Sequence, residues 1–372
     1  MQRFHLLYSY IRACYFLLIR VNNIVKLIFS PKLVNSETYY PEYSDKRKTR
    51  LRIFYDQFVN IIKYARPNYF YFLYGLDIRD RKNEYVDYTE FMTYRDKLNN
   101  SHQSKSTVGV LRDKLFFGLV AESLGISTPD NIGIIHNGQL FKIKEKTTET
   151  LIDFFNGESA LDIFVKDIDG ECADGVFHIV YKNCNLSVNG EDCDIEHLLS
   201  RLADKRYVVQ NTIKQHPDVS KIFGKSLNTI RVATVKDNKR GEIVVLPPLL
   251  RIGRGDSSVD NWAVGGIAVG IDTDHHTLKK YGFYKPGFGT KVTSHPDTGV
   301  EFDGYKIPYI KESIALVKNF HKYFKDVHSI GWDIAITEDG PMIIEGNDNW
   351  EISLIQACSR GLKDEFKIYF KR

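Results

Sequence analysis

Residues 331–347 read Gly-Trp-Asp-Ile-Ala-Ile-Thr-Glu-Asp-Gly-Pro-Met-Ile-Ile-Glu-Gly-Asn. An apolar run over 332–337, the turn-forming Glu338-Asp339-Gly340 and a second apolar run over 342–345 spell a β-hairpin. Antiparallel pairing then sets Asp333, near the start of the first strand, beside Glu345 at the end of the second. Asn347, two residues further on, shares their face while the chain stays extended, because strand side chains alternate with period two. Two carboxylates and an amide oxygen on one face form a hard-oxygen set. Mg²⁺ favours such carboxylates together with substrate phosphates over an all-protein cage. The alternative at this stage is a hairpin whose acids face water.

Outward from the hairpin, short apolar runs bounded by Gly, Asn and Asp read as strands at 132–135, 139–143, 162–166, 176–181, 206–210, 229–235, 242–251 and 263–271. Helices are expected at 111–124, where Gly125 and Pro129 follow, and at 194–204 and 309–325. Residues 31–50 are a polar, basic connector. Residues 51–100, with Phe54, Phe58, Ile61 and Ile62 at helical spacing, read as a small helical region whose aromatics pack rather than stack on bases. The chain is therefore expected to be α+β, dominated by antiparallel strand pairs after residue 130.

Several segments along this frame carry charged or glycine residues in a telling order. Asp113-Lys114 opens the helix ending in Leu-Gly-Ile-Ser-Thr-Pro (124–129), and Phe164-Val165-Lys166 is followed by Gly170 and Gly175. Tyr207-Val-Val-Gln210 runs into Asn211-Thr212-Ile213, and Leu227-Asn-Thr-Ile-Arg231 precedes Arg251, Asn261 and Gly265-Gly266. With Asp333 and Glu345-x-Asn347, this order resembles the ATP-grasp superfamily over about residues 105–358. The segment from Gly282 to Pro308, with His295-Pro296, Thr298-Gly299 and Ile307-Pro308, is most similar to the branch named for its association with sugar transfer, which is glutamate-ligase-like.

The resemblance implies an ATP-grasp fold, two α+β subdomains gripping the nucleotide behind an N-terminal helical region. The implied division is a basic amphipathic helix over 1–30, a helical, aromatic region over 31–105, an N-terminal subdomain over 106–210 and a C-terminal subdomain with the Mg²⁺ site over 211–372. It implies Lys114 and Lys166 on the ATP phosphates, with a glycine-containing loop closing over them, and Gln210, Asn211 and Ile213 at the adenine strand and hinge. Gln210 stands where many members carry an acid. It implies Asp333, Glu345 and Asn347 as ligands of one or two Mg²⁺ ions.

The residues themselves say what such a site would need. Arg231 lies mid-strand between Ile230 and Val232, where a buried cation requires an anionic partner. A transferring phosphate is one such partner and a structural salt bridge is the other. Arg251, ending a Leu-Leu strand, would bind the same phosphate or a substrate carboxylate; both arginines are the candidate catalytic cations. The loop 253–261 with Arg254 and Asn261, and Gly265 and Gly266 beyond it, is the candidate substrate segment, its alternative being a solvated turn. Gly253-Arg254-Gly255 lacks the third glycine of a dinucleotide fingerprint. His275 and His276, near Asp272 and Asp274, read as a solvated turn before a metal site. His295 and His328 are acid or base candidates with nothing to place them at the metal.

Composition limits the alternatives. Of 372 residues, 51 Lys+Arg against 47 Asp+Glu leave a net charge of +4. The first 50 residues alone hold nine Lys/Arg and three Asp/Glu, with no acid before Glu37, so the rest of the chain is slightly acidic. A nucleic-acid binder would spread its basic excess over the folded body, so no nucleic-acid partner is expected. Residues 1–28 have no apolar run longer than Ala13–Ile19, well short of the roughly 20 residues a membrane span needs, and no cleavage-site pattern follows. Instead Gln2, His5, Ser9, Arg12, Arg20, Asn23 and Lys26 fall on one helical stripe with Leu7, Ile11, Cys14, Leu18, Val21 and Val25 opposite. Such a helix docks on the protein's own core, in a dimer interface or on an anionic membrane surface. The five cysteines, Cys14, Cys172, Cys184, Cys193 and Cys358, match neither a zinc nor a disulfide pattern and read as small core residues in a reducing cytosol. A cytoplasmic protein, with or without peripheral contact at the inner membrane face, is expected.

The function expected is a Mg²⁺–ATP carboxylate–amine ligase releasing ADP and phosphate through an acyl phosphate, its acid and amine belonging to a glycan or surface-polysaccharide pathway. The alternatives are a kinase for a small molecule or glycan, and a non-catalytic membrane-surface scaffold with a vestigial nucleotide site. The oligomeric state stays open.

Overall fold

The computed structural model describes residues 2–170, 175–183 and 185–371, with side chains from residue 14 onward. Cys172 and Cys184, and the side chains of Gln2, His5, Leu7, Ser9, Ile11 and Arg12, lie outside the described residues. The chain divides into two compact units, residues 1–96 with 283–291 and 351–372, and residues 97–282 with 292–350.

The first unit is helical. It contains α1 (Gln2–Phe29), α2 (Lys32–Asn35), α3 (Arg50–Tyr64) and most of α4 (Tyr88–Asn99). Thr49 caps α3 by accepting from the Arg52 amide, and Ala65 ends it in a left-handed conformation, φ 62°. The buried line of α3 is Ile53, Gln57 and Ile61, so of the expected Phe54, Phe58, Ile61 and Ile62 only Ile61 is fully buried. Residues 70–76 form buried turns rather than a helix, with Phe70, Tyr71, Leu73 and Tyr74 nearly inaccessible. These aromatics do pack: Tyr74 stacks on Tyr85 with ring centroids 4.3 Å apart.

Of the readings left open for α1, docking of its apolar stripe on the protein's own core is not the one observed. Its buried residues are Asn23 and Leu27, and Arg20 and Asn23 donate to the Ile62 and Ala65 carbonyls at 3.0 and 2.9 Å. The apolar stripe of Cys14, Leu18, Val21 and Val25 is exposed. The orphan carbonyls at the end of α3 need donors, and the polar stripe of α1 supplies them. Cys14 is therefore not a core residue, whereas Cys358 is buried and Cys193 half-buried.

The second unit continues with α5 (Lys105–Arg112), α6 (Lys114–Ser123), β1 (Asn131–His136), β2 (Gln139–Lys142), β3 (Thr147–Thr150), α7 (Leu151–Gly157), β4 (Ala160–Asp167), β5 (Val176–Lys182), β6 (Asn185–Val188), β7 (Glu191–Asp192), α8 (Ile195–Arg201) and β8 (Tyr207–Asn211). These strands form one sheet in the order β3-β2-β1-β8-β4-β5-β6-β7. One face is sealed by α7 and α8, whose Leu151, Phe154, Phe155 and Leu198 pack on Ile163, Val165, Ile179 and Val209. By alternation the other face carries Phe164, Lys166 and Gln210, and part of it is covered by Leu115 and Leu119 of α6 against Val208.

The chain then forms α9 (Pro217–Ser220), β9 (Thr229–Asp237), β10 (Glu242–Val245), β11 (Leu249–Ile252), β12 (Ile267–Asp272), β13 (Thr277–Tyr284), β14 (Lys291–Val292), α10 (Ile310–Phe320), β15 (Ser329–Thr337) and β16 (Gly340–Asn347). The second sheet runs β14-β13-β12-β11-β9-β15-β16, with β10 also paired to β9. Two C-terminal helices, α11 (Ile352–Cys358) and α12 (Lys363–Tyr369), return to the first unit. The α+β class and the antiparallel pairing follow the sequence expectation.

Local chemistry explains where boundaries differ. The helix expected over 111–124 breaks at Asp113, which has extended geometry and caps α6 by accepting from the Phe116 amide at 2.9 Å. The run 242–251 is two strands because Pro247-Pro248 cannot donate to a ladder. Residues 262–264 form a 3₁₀ turn ended by Gly265 at φ 103°, so β12 begins only at Ile267. Helix α10 stops at Phe320 and passes into a 3₁₀ turn over 321–324. Strands β3, β6, β7, β13 and β14 and helices α7, α9, α11 and α12 are short or strongly polar and had no pattern to announce them.

Candidate active site

Four strands of the second sheet aim charged side chains at one face. The hairpin β15–β16 pairs Asp333 with Glu345, and a bulge follows immediately between Asp333 and Ile334. On the other side of β15, Asp333 is paired with Arg231 of β9. Leu249 of β11 pairs with Arg231, which sets Arg251, two residues on, on the same face. Asn347 donates its side-chain amide to Glu345 Oε1 at 3.0 Å, so the trio read from spacing converges. The open end of the hairpin is stapled by Asn99, which donates to the Ser329 and Asp348 carbonyls at 2.8 and 2.7 Å and accepts from the amides of His328 and Ser329. Arg112 grips Asp348 through two 2.8 Å contacts.

Arg231 has Asp333 as its anionic partner, the salt-bridge alternative left open by the sequence. Nε donates to Oδ1 at 2.6 Å and Nη2 to Oδ2 at 3.0 Å, while Arg251 Nη1 lies 3.3 Å from Oδ2. Arg251 is held from behind by Asp260, to whose Oδ1 it donates at 2.7 Å. Asp260 also accepts from the backbone amide and hydroxyl of Thr229 on β9. Pattern reading missed Asp260. The available signal was that a buried Arg251 needs an acid, but Asp256 in the same loop fitted that requirement equally. The structure separates them: Asp256 is solvent-exposed and pairs with Lys225.

These contacts set the protonation of the carboxylates. Burial opposes ionisation of Asp333, but the charges of Arg231 and Arg251 and the Arg231 hydrogen bonds outweigh it and hold its carboxyl well below the usual range. Burial and the neighbouring Asp333 charge push Glu345 upward. Burial pulls Arg251 down, and Asp260 and Asp333 more than restore it.

The two lysines expected at the phosphates lie on and beside the first sheet. Lys166 projects from β4 beside Val208, and burial pushes it down to about 8 against the opposing pull of Glu345, with Lys114 adding to the depression. Glu345 and Lys114 therefore both lie within electrostatic reach of Lys166. Lys114, at the start of α6, donates to the Gly170 carbonyl. Gly175, at φ 68°, closes the same loop where a Cβ would meet Asp167 Cβ at 2.8 Å. Gln210 spends its side-chain amide on Asn131 at 2.9 Å, in the position where an acid is common among the proteins the sequence resembles. Asn211 is exposed at the end of β8, and Ile213 follows half-buried.

The other sequence candidates have local duties. Arg254 donates to the Gly265 carbonyl at 2.6 Å, and Asn261 caps the 3₁₀ turn through the Ala263 amide at 2.9 Å. A Cβ on Gly266 would lie 2.8–3.0 Å from the carbonyl oxygens of Asp260, Asn261 and Ile252. This loop thus seats Asp260. His295 is buried, contacts the Gly253 carbonyl and stacks on Phe223. His275 pairs with Asp272 on an exposed turn. Among the described residues no group of three or more His, Cys, Asp and Glu side chains is placed to hold a metal. The donor set at Asp333 and Glu345 is completed by an amide oxygen, which fits Mg²⁺ in oxygen-donor chemistry and leaves positions for phosphate oxygens.

Several solved structures are similar to this chain. N5-carboxyaminoimidazole ribonucleotide synthetase from Thermotoga maritima is 12% identical with a TM-score of 0.36, over 72% of this chain and 50% of that one. D-Alanine-D-alanine ligase from Helicobacter pylori is 14% identical with a TM-score of 0.39, over 70% and 60%. The Bacillus anthracis D-alanine–D-alanine ligase complexed with ATP is 16% identical with a TM-score of 0.33, over 69% and 60%. The chain thus spans only half to 60% of the length of these solved structures. No curated protein matches significantly. The model of the sugar-transfer associated ATP-grasp family matches residues 93–368, most of the chain, and the chain belongs to that family.

Proposed function

We propose that the chain is an ADP-forming carboxylate–amine ligase acting in the assembly of a glycan or a surface polysaccharide. The observation that supports it most is the convergence of Asp333, Glu345 and Asn347 with Arg231 and Arg251 on one face of the second sheet. A carboxylate does not react with an amine at neutral pH, because oxide would have to leave. In the proposed reaction a carboxylate oxygen attacks the γ-phosphorus, the bond to the ADP oxygen breaks, and an acyl phosphate forms. The amine then attacks the acyl carbon, loses a proton, and phosphate leaves.

Asp333, Glu345 and Asn347 would hold Mg²⁺, which when bound screens the β- and γ-phosphate charges. Lys114 and Lys166 neutralise phosphate oxygens as point charges. Arg231 and Arg251, already fixed by Asp333 and Asp260, are oriented before substrate arrives, so they stabilise developing charge on the transferring phosphoryl group with little reorganisation. Gln210, Asn211 and Ile213 line the strand end proposed for adenine, and Arg254, Asn261, Gly265 and Gly266 the loop proposed for substrate.

Replacing Glu345 with Gln removes one anionic ligand and keeps the shape. ADP release over a panel of amino acids and sugar amines should fall by about a thousandfold or more; undiminished release would refute the assignment. Hydroxylamine trapping of the product as a hydroxamate separates an acyl phosphate from the phosphate ester a kinase would make.

A further inference from the structure

Two neighbouring helices of the first unit turn apolar side chains outward. On α1, Tyr15, Leu17, Leu18, Val21, Val25, Ile28 and Phe29 are all exposed, Leu18 at 69% and Phe29 at 79%. Helix α1 packs on α3. Leu51, Tyr55, Val59 and Ile62 of α3 form a second exposed stripe at spacings of four, four and three residues, Leu51 at 83%. Isolated exposed apolar residues are ordinary, but two adjoining stripes make a surface that water does not favour.

Its charge identifies the occupant. The chain has no acid before Glu37, while Arg20 and Lys26 lie on α1 and Arg50, Arg52 and Lys63 on α3. The one acid of α3, Asp56, is engaged by Lys48 and Tyr71 at 2.8 and 2.6 Å and by Arg52 at 3.2 Å. Among the described residues no helix is long and apolar enough to cross a membrane. Apolar stripes with aromatic members, flanked by basic residues and free of available acids, have the composition of helices that lie in the headgroup region. We infer that α1 and α3 form a docking face for an anionic lipid surface, with the apolar stripes inserted among the acyl chains and the basic residues at the headgroups. This face does not depend on the proposed ligase reaction.

The test uses the full chain and vesicles of phosphatidylcholine alone or with about 30% phosphatidylglycerol. Flotation should recover the protein with the anionic vesicles and at least about tenfold less with the neutral ones, and raising salt should weaken recovery. The variant Leu18→Ser/Val21→Ser/Val25→Ser should lose anionic-vesicle binding by about tenfold or more while keeping the helical circular dichroism and thermal unfolding of the parent. Lys26→Glu with Arg50→Glu should reduce binding and its salt dependence together. Failure to float with anionic vesicles would overturn the inference, as would equal recovery with both vesicle types. A dimer by light scattering that the triple serine variant dissolves would overturn it too, by making a second copy the occupant.

Discussion

On β9, β11, β15 and β16 the ionic groups of the site answer one another, whereas on β4 a single lysine waits for its counter-charge. Asp333 lies between two guanidiniums, and Arg251 between two carboxylates. Among the described residues Lys166 has no salt-bridge partner; its ammonium lies 5.7 Å from the Phe164 ring centre, and burial depresses it. The first region is therefore set before any ligand binds, whereas Lys166 has only the pull of Glu345, which does not offset its burial. A nucleotide phosphate against Lys166 would relieve a cost already built into the fold, while groups around Asp333 would be exchanged rather than created.

That contrast predicts opposite stability effects. Asp333→Asn leaves Arg231 and Arg251 buried with too little negative charge, and should cost about 3–5 kcal/mol in denaturant unfolding as well as abolishing ADP release. A near-neutral result would mean that the arginines are not anchored as described. Lys166→Met removes a desolvated cation, so unfolding stability should hold or rise slightly, while ATP affinity by calorimetry falls about ten- to a hundredfold. Equal losses of stability in both variants would erase the distinction.

The pH dependence sharpens it further. The folded-state value of Lys166, about 8, lies below its ordinary 10.5, so between these values the unfolded chain binds more protons than the folded one. The contribution of this group to stability therefore increases as pH rises through that window. ATP binding responds in the reverse sense, weakening several-fold above about pH 8 as the ammonium is lost, and Lys166→Arg should flatten the change because guanidinium stays charged. The smallest expected effect is at the loop behind Arg251. Gly266→Ala crowds three carbonyl oxygens and should cost about 1–2 kcal/mol by thermal unfolding, with a modest fall in turnover as Asp260 shifts.

The hairpin was legible because its information is local. Two apolar runs and an Asp-Gly turn fix the pairing, and pairing alone brings Asp333 to Glu345. Lys114 and Lys166 were placed by resemblance, and the structure adds that burial is what depresses Lys166. Asp260 was not legible: it meets Arg251 through a loop that pairs no strand, and only that loop's path distinguishes it from Asp256. The direction of the α1 stripe was left open, because amphipathicity says which residues share a face but not which face finds donors and acceptors to dock against.

The sequence by itself determined the α+β pattern, the hairpin and the face on which its acids gather, since these depend on alternation and turn chemistry within a few residues. Tertiary structure alone decided the partner of Arg231, the brace on Arg251 and the direction in which α1 turns its apolar side. Those choices balance burial of charge against contacts between segments far apart in the chain, and no local pattern records that balance.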